Sequence, residues 1–218
     1  MTAPGAPRLR AAFDLLLDRY GPQGWWPGET PFEVMVGAVL TQNTAWSNVE
    51  RAIANLKRAG VLSCGAMLAL APEALAALIR PAGYFNVKAV RLQALCRFLV
   101  EAGGEAALAA RDTPGLRTAL LAVHGVGPET ADDILLYAFG RPVFVVDAYT
   151  RRIGARLGLV AGDEGYEIIR RTFEAALGPD VAVFNEYHAL LVRHAKVHCR
   201  PRPRCEGCPL ATLCSFDP

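Results

Sequence analysis

The chain has 218 residues, 52% of them hydrophobic and 20% charged, with a net charge of +2. Such apolar content supports a sizeable core and excludes a disordered protein, and no apolar run reaches the roughly 20 residues a bilayer-spanning helix needs. With no secretory leader ahead of the first helical pattern, the expectation is a soluble, cytoplasmic monomer, nucleoid-associated if prokaryotic.

Residues 8–20 read RLRAAFDLLLDRY, with Phe13, Leu16, Leu17 and Tyr20 on one face of a helix. Gly21-Pro22 ends it, and the loop Gly24-Trp25-Trp26-Pro27-Gly28 holds two of the three tryptophans. A loop indole either covers the edge of a core or stacks on a ligand, and the residues alone leave both open. Thr30-Pro31 with Glu33 caps a helix that is apolar nearly all round, through Phe32, Met35, Val36, Ala38, Val39 and Leu40. That is the pattern of a buried central helix. It ends in the polar run Thr41-Gln42-Asn43-Thr44; buried polar groups need partners, so this break belongs at a surface or cleft. Trp46 opens a helix to about Arg58, with Val49, Ile53 and Leu56 inward. Residues 66–80 and 86–102 are predicted as two more helices, and Asp112 to Pro114 opens the helix that leads to His124.

Gly125-Val126-Gly127 then makes a turn, and Pro128 sits where the first turn of a helix tolerates a missing N–H. Two glycines let backbone N–H groups approach an anion closely, and a nucleic-acid phosphate suits such a site. Ala131, Ile134, Leu135, Ala138 and Phe139 recur at helical spacing up to Gly140, while Glu129, Asp132 and Asp133 read as first-turn charges on a solvated face. The apolar run Val143-Phe144-Val145-Val146 leads to Asp147, an N-cap for a helix carrying Tyr149, Ile153 and Leu157 inward and Arg151, Arg152 and Arg156 elsewhere. Two further helices are predicted at 164–177 and 184–197. No strand pattern and no internal repeat occurs, so the fold class is all-α.

Cys64 and Cys96 are isolated in helical patterns and read as core residues. Cys199, Cys205, Cys208 and Cys214 are spaced C-x5-C-x2-C-x5-C, which in an intracellular chain argues for a metal centre over disulfides. Zinc sites more often join two tight pairs across a longer gap, whereas compact runs of four thiolates suit a cubane iron–sulfur cluster. The same segment carries Arg193, Lys196, Arg200, Arg202 and Arg204 with no acidic residue up to Arg204, a basic run fit for a solvated loop or a phosphate-facing one.

GVGPETA followed by VVDAYTRRI resembles the helix-hairpin-helix, Gly/Pro, Asp signature of the endonuclease III superfamily of DNA glycosylases (HhH-GPD), and the resemblance covers nearly the whole chain. It implies a six-helix barrel domain over residues 31–141 and a second helical domain from residues 1–30 and 142–218, with pocket and DNA groove between them. By that resemblance Gly125 and Gly127 grip a phosphate, and Asp147 stabilises the cationic sugar formed as a damaged base leaves. Gln42, within LTQNT, would fill the gap left by a flipped nucleotide. Cys199, Cys205, Cys208 and Cys214 would hold a [4Fe–4S] cluster in a loop over 199–214, although the first spacing is one residue shorter than usual. That loop would set Arg200, Arg202 and Arg204 against the backbone of double-stranded DNA.

Bifunctional members carry a lysine where this chain has Glu129, and a carboxylate forms no imine, so a monofunctional glycosylase is expected. WWP, LTQNTAW and the hairpin-to-aspartate segment together resemble the 3-methyladenine branch, whose aromatics sandwich the base. Trp25, Trp26, Pro27 and Trp46 are assigned to the pocket on that analogy, since a cationic alkylated purine suits an indole face. Two rivals stand beside this reading. One is a glycosylase for another damaged or mismatched base, the other a DNA-binding paralogue that has lost catalysis.

Overall fold

The computed structural model describes residues 5–216; the first four and last two residues of the expected terminal domain lie outside the described residues. Among the described residues every regular element is helical and no strand forms. Twelve α-helices follow in order: α1 (Ala6–Tyr20), α2 (Pro31–Leu40), α3 (Trp46–Arg58), α4 (Cys64–Ala69), α5 (Pro72–Leu78), α6 (Phe85–Glu101), α7 (Glu105–Ala109), α8 (Thr113–Leu121), α9 (Pro128–Asp133), α10 (Ala148–Arg156), α11 (Tyr166–Leu177) and α12 (Val181–Val197). The chain divides into two compact units, Pro27–Gly140 and Met1–Trp26 with Arg141–Pro218.

In the Pro27–Gly140 unit α2 is the central helix, buried from Phe32 to Leu40. Thr30 caps it by accepting from the Glu33 N–H at 3.1 Å, and the buried Glu33 carboxylate is met by Lys57 at 2.9 Å. Against it pack α3, α6 and the stretch Ile134–Ala138, whose buried residues include Val49, Ala52 and Leu56 of α3, Leu92 and Leu95 of α6, and Ile134–Leu136. The single helix expected over 66–80 is instead α4, α5 and a 3-10 turn at Arg80–Ala82. Pro72 explains the break: it forces Ala71 into an extended conformation (φ −61°, ψ 144°) and restarts the helix at its own first position. Past Asp133 the backbone widens into a π-helix over Ile134–Ala138, with Phe139 N–H donating to Ile134 O at 3.2 Å.

The terminal unit is organised on Phe144. Its ring stacks on Phe173 of α11 (centroids 4.6 Å apart) and meets Phe184 of α12 edge-on at 5.4 Å. Leu9, Ala12, Phe13 and Leu16 of α1 close the same core, and Tyr187 of α12 donates its hydroxyl to Leu9 O at 3.0 Å. The run Val143–Val146 is fully buried as irregular backbone, its Phe144 N–H satisfied by the Glu174 carboxylate at 3.0 Å. It delivers Asp147 to the start of α10.

Candidate functional site

The helix-hairpin-helix forms as α8, the turn at 125–127, and α9. Gly125 has φ +84°, and a Cβ built there would collide with the Arg91 side chain, which lies across it. Gly127 differs from expectation. Its φ is −93° and a Cβ would meet nothing within 4 Å, so neither conformation nor packing demands glycine there. Asp132 and Asp133 correct the expectation of a solvated face, because both are buried. Asp132 binds Arg117 through two bonds, 2.7 and 3.0 Å, tying α8 to α9 across the hairpin. Glu129 is exposed at the start of α9.

Gln42, at the turn after α2, is fixed on this hairpin. Its Nε2 donates to Gly125 O at 3.0 Å and to Thr130 Oγ1 at 2.9 Å, while its Oε1 accepts from Arg91 Nη1. Three bonds hold one amide in one orientation at a half-buried position. Gln42, Asn43, Tyr84, Val87, Lys88 and Arg91 line one surface pocket, in which Tyr84 is 72% exposed. No local pattern announces Arg91, Thr130 or Tyr84; the aromatic Tyr84, between the helices predicted at 66–80 and 86–102, was the one available signal.

In the terminal unit Asp147 is the N-cap of α10, its Oδ1 accepting from Thr150 N–H at 2.7 Å. Its other oxygen lies 3.7 Å from His188 Nε2 of α12, with the carboxylate side chain 14% exposed. Burial pushes this carboxyl's pKa up, but the His188 imidazole and the Thr150 amide outweigh it and hold it below the usual value. Asp147 is thus an ionised, aimed carboxylate at a helix start, and α12 supplies the partner that no local pattern announced. Trp25 and Trp26, in the same unit, are half-buried with their rings edge to face at 5.7 Å. Pro27 is exposed, and the half-buried Trp46 opens α3 in the other unit. Tyr149 is half-buried beneath the Arg152 guanidinium, 5.3 Å from its ring.

Cys199, Cys205, Cys208 and Cys214 all line one cavity, together with His194 and His198. Burial raises the Cys208 thiol pKa, and the nearby Cys214, Cys199 and Cys205 add to the rise. The arginines of α10 hold the loop: Arg156 donates to Cys199 Sγ at 3.2 Å, Arg200 O at 2.8 Å and Pro201 O at 3.1 Å, and Arg152 to Cys199 O at 2.9 Å. Burial and the neighbouring His198 hold His194 down to about 4, and Tyr20 Oη pairs with its Nδ1 at 3.1 Å. Among the described residues, no group of three or more His, Cys, Asp or Glu side chains is arranged to hold a metal ion. The donor chemistry, four cysteines lining one cavity, is of the kind that a thiolate-bound cluster requires. Arg200, Arg202 and Arg204 are exposed, with Arg200 Nε bonded to Lys196 O at 2.8 Å.

The family model described as HhH-GPD superfamily base excision DNA repair protein matches residues 36–179, a span that takes in Gln42, the hairpin and Asp147. A Methanocaldococcus jannaschii protein provisionally named a DNA repair glycosylase is 49% identical over 205 residues, 93% of this chain and 93% of that protein. A trapped covalent intermediate of endonuclease III with DNA matches in structure with a TM-score of 0.83 at 25% identity, covering 96% of this chain and 95% of that one. H. pylori 3-methyladenine DNA glycosylase bound to 1,N6-ethenoadenine matches with a TM-score of 0.75 at 29% identity, covering 88% and 97%.

Proposed function

The chain belongs to the HhH-GPD superfamily of base excision DNA repair proteins, and on that premise we propose that it is a monofunctional DNA N-glycosylase removing alkylated purines of the 3-methyladenine type from duplex DNA. The observation that carries the reading is Asp147, a carboxylate kept ionised by His188 and the α10 start, in a chain with Glu129 at the position of the lyase amine. A cationic alkylated base leaves with the electron pair of its glycosidic bond, so it needs little acid assistance. The sugar becomes an oxocarbenium-like cation, which a fixed negative charge stabilises. Water then adds at C1′ and loses a proton, leaving an intact abasic site; Asp147 is the group to orient that water.

Gln42 is the residue to fill the gap left by the flipped nucleotide, and its three bonds to Gly125, Thr130 and Arg91 favour that role because an ordered amide loses little entropy on insertion. Gly125 and Gly127 present backbone N–H groups to a phosphate, and Arg200, Arg202 and Arg204 would add charge along the backbone. Trp25, Trp26, Pro27 and Trp46 are assigned to the base pocket. The half-burial of the indoles and the likeness to a 3-methyladenine glycosylase support this. Cys199, Cys205, Cys208 and Cys214 would hold a [4Fe–4S] cluster whose part is to order the basic loop that α10 already clamps.

A panel of duplexes bearing single lesions tests the reading. Release of 3-methyladenine without strand cleavage, and no adduct on borohydride reduction with abasic DNA, is the expected result. A stable covalent adduct would overturn the monofunctional assignment, and release of no base from any duplex would leave only a DNA-binding protein.

A further inference from the structure

Lys88 lies in the first turn of α6 and is 1% exposed, among the largest side chains buried in the molecule. An ammonium is rarely placed there, because desolvating a charge is costly unless its donors are used. Here all three are used. Nζ donates to Leu40 O at 2.8 Å, to Thr44 Oγ1 at 2.6 Å and to Ala82 O at 2.8 Å, none of them a carboxylate oxygen. Leu40 is the last residue of α2, where the carbonyls are left over by the helix and carry the negative end of its dipole. Ala82 ends the 3-10 turn. Thr44 Oγ1 lies in turn 2.5 Å from Ala82 O and 3.2 Å from Gln42 O. One buried charge therefore ties together three separate stretches of backbone.

What those stretches carry gives the charge its purpose. Asn43 (φ 52°) and Tyr84 (φ 44°) are the two non-glycine residues with positive φ among the described residues. Residues other than glycine persist in that region only where their surroundings hold them. Asn43 stands between Gln42 and Thr44, and Tyr84 two residues past Ala82. Both line the surface pocket that Gln42 and Arg91 share, and Lys88 underlies it. We propose that Lys88 is the positioning residue of the DNA-inserting surface: its ammonium, bonded to Leu40, Thr44 and Ala82, holds Gln42, Asn43 and Tyr84 as one rigid platform. This rests on the reading of Gln42 as the residue that fills the gap in the duplex.

Burial, with the Arg91 charge beside it, holds the Lys88 pKa down to about 8. Arg91 belongs to the same helix; the end of α2, the 41–44 turn and the 3-10 turn bring carbonyl and hydroxyl oxygens to the ammonium. A neutral amine has two hydrogens, so above that pH one of the three oxygens loses its bond. The platform then slackens.

The test uses the full chain and a duplex with a tetrahydrofuran abasic analogue opposite 2-aminopurine, whose fluorescence reports unstacking on insertion. Gln42→Ala should weaken binding about fivefold to tenfold, the value of one or two hydrogen bonds. Lys88→Met and Thr44→Val should each lower affinity and diminish the fluorescence change. Gln42→Ala/Lys88→Met should bind within about twofold of the weaker single variant, because both remove the same contact. For the wild type the fluorescence change should fall between pH 7 and 9, and for Lys88→Met it should not vary. Should Lys88→Met fail to fold, Thr44→Val and the wild-type pH profile decide. The proposal is overturned if folded Lys88→Met or Thr44→Val binds and fluoresces as the wild type does, if the single effects multiply, or if the wild-type signal is flat with pH. An unaffected Gln42→Ala sinks the insertion reading and this proposal together, whereas a null result confined to Lys88 and Thr44 sinks only the latter.

Discussion

Asp147→Asn separates charge from structure at one position. The substituted side chain would keep an oxygen to accept the Thr150 N–H, now 2.7 Å from Asp147 Oδ1, and asparagine caps a helix as well as aspartate does. Folding stability should therefore change little. The negative charge disappears, and on the proposed mechanism the stabilisation of a cationic sugar goes with it; losing one such electrostatic contact raises a barrier by about 2.7–4 kcal/mol, or roughly 10²–10³-fold in rate. Asp147→Ala supplies the contrast, since it removes the cap as well. It should lower stability by about 1 kcal/mol, roughly 2–4 °C in Tm for a chain of this size. Single-turnover base release from methylated duplex, with enzyme in excess, reads the chemical step, and equilibrium binding to the same duplex checks that affinity survives. If Asp147→Asn binds normally and releases base within about tenfold of the wild-type rate, the assignment of Asp147 as the stabilising charge is wrong.

His188→Phe removes the imidazole 3.7 Å from Asp147 while keeping the site buried. The carboxyl pKa should rise, so the acid limb of the pH–rate profile should move to higher pH; an unmoved limb would show that His188 does not govern Asp147. Gly125→Ala forces a side chain into a φ of +84° and into Arg91, which should destabilise by about 1–2 kcal/mol in denaturant titrations and weaken binding to undamaged and damaged duplex alike. Equal stability and affinity would refute the packing argument. Anaerobically purified protein should contain iron and acid-labile sulfide, and Cys208→Ser should lose both. Metal-free wild type of unchanged melting temperature and DNA affinity would refute the cluster assignment.

Much of this architecture was legible because its causes are local. The all-round apolar α2, the Thr30 and Asp147 caps and the glycine hairpin each depend on residues within a turn of one another, and each forms as the pattern predicts. The local pattern misleads where a breaker sits inside a helical period, as Pro72 does within 66–80, and where charge near a helix start resembles a solvated face. Asp132 is buried because Arg117, fifteen positions earlier, reaches it.

The sequence by itself determined the all-α class, the order of the helices, the hairpin and the grouping of four cysteines, since helical period, turn chemistry and cysteine spacing act over a few residues. Only the tertiary structure decided what each candidate side chain leans on: His188 beside Asp147, Arg91 and Thr130 on Gln42, Lys88 beneath the 41–44 turn, and Arg156 on the cysteine loop. Those partners lie some forty to ninety positions away along the chain. Nothing in the local pattern around one member specifies the other, because a long-range hydrogen bond or ion pair is created by packing of the apolar faces that brings its two ends together.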